Sequence, residues 1–273
     1  MEKRNIKNID IFELDFLSSR VISMEKNLPE EIKSRYGRVY YKINEKMSDN
    51  LLQLDFQDKK VLSVLASSDQ MLMLKSLDAK QVDVFDTNRL TLYYYFLRKW
   101  SIKYDNKLYP DIYNNNSILR LTRKVRPETE LEAKALVFFE SHLRAQTEIE
   151  KLFYDVEKEQ DGDSLLETAK QAKKLVEEDP TFYEFNLFEH IDTDKTYDYI
   201  YISNILEWAR GDITKLKIAE ENLDKLTGLT GTVICTNLVS RDNSSLMIER
   251  RIFKNSFERY DFKDQKGYVY TKS

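Results

Sequence analysis

Between Val61 and Asn88 the chain sets small hydroxyl side chains and a carboxylate at two turning points. Val61 to Leu65 (V-L-S-V-L) is a short apolar, β-rich run of the kind a strand buried on both faces requires. Ala66, Ser67, Ser68 and Asp69 follow, all small enough for a ligand to approach the backbone. Met71, Leu72, Leu74 and Leu77 then give a helical apolar face. Val82 to Phe85 is a second strand, and Asp86 stands at its carboxyl end. In open parallel sheets ligands lie beyond the carboxyl ends of the strands, and an acid about 20 residues past the first loop holds a ribose diol. The spacing therefore predicts a nucleoside-type ligand across the ends of two strands. The bland alternative is a βαβ unit whose loop only turns the chain, with Ser68 or Asp69 capping the helix. Spacing alone does not separate the two.

A dinucleotide would require G-x-G-x-x-G, whose glycines let the backbone approach a pyrophosphate. No glycine lies between Gly37 and Gly162. S-adenosylmethionine (SAM) has no pyrophosphate, so its loop tolerates small hydroxyl residues better.

The rest of the chain must position these residues. Its 273 residues, 41% hydrophobic and 33% charged, can bury a full core. The net charge of −4 argues against general nucleic-acid binding. One cysteine, Cys235, excludes an internal disulfide and a cysteine metal cluster, and two histidines argue against a histidine one, so no metal is expected. The N-terminal M-E-K-R-N-I-K-N has no apolar signal core and no run is long enough to span a bilayer, so a cytoplasmic protein is expected.

Residues 1–50 read as an N-terminal helical arm and 51–273 as the main domain. The segment Asn88 to Ile102 is apolar almost all round and predicts a helix buried on most sides. Residues 104–127 read as a loop bearing Arg120, Arg123, Lys124 and Arg126, either solvated surface or an anion site. Thr129-x-x-Glu132 is a capping box opening a long helix whose spacing continues to Val156. Ser164-x-x-Glu167 caps another that ends before Pro180. Together, about 104–180 forms a helical insertion, either a lid or a buttress. Strands are predicted at Phe182 to Phe188, Tyr197 to Ile202 and Thr232 to Thr236, the last entered through Gly231. A helix is predicted from Ile213 to Leu226, ended by Gly228. Phe257 to Phe262 and Gly267 to Thr271 form a C-terminal antiparallel hairpin. This element order predicts an α/β, Rossmann-like class I SAM-dependent methyltransferase fold with a mostly parallel sheet.

With those residues on the page, the chain resembles the DUF3419 family, which includes SAM:diacylglycerol 3-amino-3-carboxypropyl transferases. The similar segments are V-L-S-V-L-A-S-S-D-Q at 61–70, V-F-D-T-N at 84–88 and Y-D-Y-I-Y-I-S-N-I-L at 197–206, with Asn44-Glu45 upstream. The lipid enzymes are longer, and Ser67 or Ser68 stands where their first loop has a glycine. The resemblance implies SAM as substrate, transfer of an aminocarboxypropyl or methyl group, and a small-molecule or lipid acceptor with peripheral membrane contact. On this reading Asp86 takes the ribose hydroxyls and Asn88 supports the ribose or adenine. Ala66, Ser67 and Ser68 contact the methionine end. Asp69 pairs with its ammonium or caps the helix. Ser203 and Asn204 face the sulfonium or the acceptor, unless they only form a strand-end turn. Glu207 and His190 are candidate bases, each otherwise a solvated surface group. The alternative function is a catalytically degenerate fold that binds SAM, or a protein-interaction module.

Overall fold

The computed structural model describes residues 39–40, 48–88, 90–111, 114–144, 153–154, 173–209, 211–236, 243–262 and 267–272. Seven strands form the main sheet: β1 (Lys60–Val64), β2 (Gln81–Asp86), β3 (Phe182–Glu184), β4 (Tyr199–Ser203), β5 (Thr232–Thr236), β6 (Phe257–Asp261) and β7 (Gly267–Lys272). Their spatial order is β3-β2-β1-β4-β5-β7-β6. The first five are parallel, and β7 runs antiparallel between β5 and β6. This is the class I methyltransferase-like arrangement that the element order predicts. The central strands are buried along nearly their whole length, as parallel strands covered on both faces must be.

Helices connect the strands: α1 (Asp69–Ser76), α2 (Leu90–Tyr104), α3 (Asn115–Thr122), α4 (Glu130–Arg144), α5 (Ile213–Thr227) and α6 (Asn243–Phe253). From β1 the chain steps to β2 on one side; from β4 it steps to β5 on the other. Right-handed crossovers therefore put α1 and α5 on opposite faces. The reversal falls between β1 and β4, which is the switch point where such sheets open a crevice. Residues 90–102 of α2 are all buried, as the sequence predicts. Its neighbours are α3, α4 and a 3-10 turn at Lys173–Val176. Phe96 stacks on Trp100 at 6.0 Å, and Tyr95 meets Phe182 of β3 edge-on at 5.3 Å.

The structure corrects several expectations. Residues 104–127 are not a plain loop: they hold a 3-10 turn (Asn106–Asp111) and α3. The Asn114 side chain accepts from Ser117 N at 2.8 Å, so part of the asparagine run that reads as loop is a helix cap. Arg120 and Lys124 both pair with Asp105, at 2.8 and 2.7 Å, so half of the basic cluster is answered within the fold. Half of the capping box is present: Thr129 Oγ1 accepts from Glu132 N at 3.1 Å, while Glu132 Oε2 accepts from Glu128 N at 2.6 Å, one residue before the cap. However, α4 ends at Arg144, and Phe153–Tyr154 pairs in parallel with Val39–Tyr40 instead of continuing a helix. β3 stops at Glu184 because Asn186 Oδ1 accepts from Phe188 N at 3.0 Å and turns the chain. Helix α6 was not legible in the sequence. Residues 1–38 and 41–47 of the arm expected at 1–50, Asn44-Glu45 among them, the helix start at Ser164 and the hairpin turn at 263–266 lie outside the described residues.

Gly231 enters β5 where there is no space for a side chain. A Cβ there would meet Thr227 O at 2.6 Å and Tyr197 O at 2.7 Å, both of them backbone. Gly231→Ala is expected to destabilise the protein by about 3 kcal/mol, the upper part of the overpacking range. A denaturant midpoint unchanged from wild type would contradict this.

Candidate functional site

Three non-glycine residues adopt the left-handed backbone region at the carboxyl ends of β1 and β4: Ala66 (φ 40°), Ser68 (φ 71°) and Ser203 (φ 52°). Each costs about 1–2 kcal/mol relative to the right-handed region, and such residues persist only where the surroundings hold them. They flank the switch point. The Ser68 amide closes the turn onto Leu65 O at 2.6 Å. Ser68 stands at the N-cap of α1, but its side chain makes no capping bond. Its hydroxyl is buried without a hydrogen-bond partner among the described residues. The Ser67 hydroxyl is buried too, 3.1 Å from Asp69 Oδ2 and 3.4 Å from Gln70 Oε1.

Asp86 ends β2 and reaches back to this turn: Oδ2 accepts from Ala66 N at 3.0 Å, and Oδ1 accepts from Asn88 N at 2.8 Å. The first loop and the acid thus meet directly across two parallel strands. Asn88 Oδ1 accepts from Leu90 N at 3.0 Å, which ties that side chain to the start of α2. Burial pushes the Asp86 carboxyl up from 3.8 to about 6, against the lowering pull of the Asn88, Ala66 and Thr87 amides and the Thr91 hydroxyl. Between those two values the folded protein holds a proton that the unfolded chain releases. The contribution of this group to stability is therefore full below pH 3.8 and is lost as pH rises through about 6. A diol accepted by the carboxylate has the opposite dependence, because it needs the ionised form. Its affinity is expected to fall about tenfold for each pH unit below 6, and a calorimetric titration flat from pH 5 to 7 would contradict the assignment.

Across the switch point, a register shift in the pairing of β4 with β5 lies between Tyr201 and Ser203. Ser203 Oγ lies 3.4 Å from Thr236 Oγ1 at the end of β5. Asn204 is half-buried, and its carbonyl accepts from Glu207 N at 3.0 Å in a 3-10 turn at Ile205–Ala209. Glu207 is half-buried in the same turn. His190 is not part of this group. It lies in the connection leading to β4, 68% exposed, 3.7 Å from Glu221 on α5. Neighbouring Ile191 is held there by Asn222 of α5. The structure thus does not bring His190, expected as a candidate base, together with the residues at the strand ends.

Asp69 also departs from expectation. It is fully buried, and its carboxylate is occupied by the Ser67 hydroxyl, the Tyr109 phenol and the Arg98 guanidinium, the last at 3.7 Å. Ser68, not Asp69, stands at the N-cap of α1. Arg98, 2% exposed, lies over the Tyr109 ring at 4.1 Å and the Tyr94 ring at 4.9 Å. Sequence reasoning passed over Arg98 and Tyr109. The signal was present: a guanidinium inside an apolar helix must find an anion.

Leu65, Phe85, Asp86, Asn88 and Phe182 line a cavity of about 10 Å³, enough for one water. Among the described residues no group of three His, Cys, Asp or Glu side chains is placed to hold a metal, and no helix is long and apolar enough to cross a membrane.

No protein-family model matches the chain, and no curated protein matches it. Among solved structures it is similar to the N-methyltransferase NodS from Bradyrhizobium japonicum WM9 in complex with S-adenosyl-L-homocysteine, with TM-score 0.39, 9% identity and 98% coverage of each chain. A second structure of NodS gives TM-score 0.37 and 10% identity over 82% of this chain and 93% of the other. The strand order alone carries the fold assignment.

Proposed function

We propose that this chain is a SAM-dependent transferase whose ligand lies across the ends of β1 and β2, with its reacting sulfur toward β4. One observation carries the reading: the bond from Ala66 N to Asp86 Oδ2, which joins a glycine-free small-residue turn to an acid at the switch side of a class I sheet. The residues suit the ligand. Asp86 is the acceptor for ribose hydroxyls. Among the described residues the buried Ser68 hydroxyl has no partner, and a ligand would supply one. The first amides of α1 have no acceptor within the helix and suit the carboxylate of a methionine end. Ser203 and Asn204 stand opposite, where they would face the sulfonium or the acceptor. SAM brings an electrophilic carbon on each side of its sulfur; the protein's part is in-line positioning and exclusion of water.

The segments at 61–70, 84–88 and 197–206 that resemble DUF3419 support aminocarboxypropyl transfer, and through that family a lipid acceptor. The by-product decides the chemistry. Incubation with SAM and cell extract, followed by mass spectrometry, yields methylthioadenosine for aminocarboxypropyl transfer and S-adenosylhomocysteine for methyl transfer. No turnover and no binding of either nucleoside by folded protein would overturn the proposal. One observation favours a second reading, a non-catalytic interaction module: the cavity beside Asp86 has room for only about one water. Calorimetry with S-adenosylhomocysteine separates the two.

A further inference from the structure

We infer that Arg98 and Tyr109 are positioning residues for the turn at 66–69, acting through Asp69 on the methionine end of the ligand. The inference rests on the transferase reading and goes one step further into the same site. The turn holds two non-glycine residues, Ala66 and Ser68, in left-handed conformations. Such a backbone needs anchors on both sides. On one side Asp86 accepts from Ala66 N at 3.0 Å. On the other, Asp69 is buried, bonded to the Ser67 hydroxyl at 3.1 Å and to the Tyr109 phenol, and 3.7 Å from Arg98. Burial holds the Tyr109 phenol well above the usual tyrosine range, so it stays protonated and donates.

The two anchors reach the turn through one continuous piece of chain. Asp86 ends β2, α2 begins at Leu90 and carries Arg98, and the 3-10 turn after it carries Tyr109. Arg98 Nη1 donates to Tyr109 O at 3.3 Å, which fixes these two elements to each other. The β2–α2 segment thus grips the turn from both ends. The Asp86 anchor sits with the ribose; the Asp69 anchor sits at the start of α1, where the methionine end would lie. The two anchors therefore predict separable effects on two ligands. Adenosine needs only the first, whereas S-adenosylhomocysteine needs both.

Tyr109→Phe keeps the ring under the guanidinium and removes only the hydroxyl. It is expected to weaken S-adenosylhomocysteine about tenfold by calorimetry, the scale of a hydrogen bond to a charged group, while adenosine changes less than twofold. Amide hydrogen exchange at residues 66–70 is expected to quicken in the variant without ligand, and that of β4 to stay unchanged. Arg98→Lys, which keeps the charge but loses the stacked plane, is expected to fall between wild type and Tyr109→Phe. Equal losses for both ligands, or no loss with unchanged exchange, would overturn the inference while leaving the transferase reading intact. If wild-type protein binds neither ligand, the transferase reading falls. Quickened exchange confined to 66–70 would then still support the anchoring, and unchanged exchange would remove it as well.

Discussion

Asp86→Ala is expected to weaken S-adenosylhomocysteine by about 100-fold or more and to abolish its effect on the melting temperature. The magnitude follows from two hydroxyl bonds to a carboxylate, each worth about 1.5–3 kcal/mol where the acceptor is ionised. The same change removes the acceptor for Ala66 N and Asn88 N, so the turn itself would loosen. Its cost in stability is expected to be smaller, about 1–3 kcal/mol for two amides left partly to water. It is offset by removing a carboxylate whose ionisation burial opposes. Asp86→Asn separates the parts, since its amide oxygen accepts one of those bonds but its nitrogen cannot accept another. It should lose less stability than the alanine variant and bind weakly, without the pH dependence centred near 6. Unimpaired binding by the alanine variant would remove the ribose assignment and the proposed function with it.

The parts of this site legible in the sequence depend on local pattern. Val61 to Leu65 and Val82 to Phe85 announce buried strands by continuous apolar runs, and the structure places strands there within a residue. Asp86 follows from its place after the second run, because strand ends in a parallel sheet share one edge. What pattern did not show is contact across elements. Asp69 reads as a capping residue from its neighbours, yet its partners lie 29 and 40 residues further along the chain. His190 reads as a chemical group by type alone, and the structure leaves it exposed in the connection leading to β4, beside Glu221 of α5. The run Asn114 to Asn116 reads as loop by composition, although the Asn114 side chain opens a helix. In each case the residue type was informative and its partner was not, since partners are set by packing.

The second large effect concerns that hidden pairing. Asp69→Ala is expected to cost about 3–5 kcal/mol, because it strands the Arg98 guanidinium in the interior. At about 2–4 °C per kcal/mol for a chain of this size, the melting temperature should fall by about 10 °C. Two stacked rings and the Tyr109 carbonyl would remain around the guanidinium, but none of them carries a full negative charge. Asp69→Ala combined with Arg98→Met removes both charges and should recover much of the loss, since an apolar replacement for a buried pair is often neutral. His190→Ala, at an exposed position, is the control and should stay within about 0.5 kcal/mol of wild type. Strictly additive losses in the double variant would mean that the two side chains do not interact. The recovered double variant is the informative protein. It would restore stability without restoring the inward pull on residues 66–68, so its turn should stay loose and its ligand affinity low. A pair kept only for stability would show affinity returning together with the melting temperature.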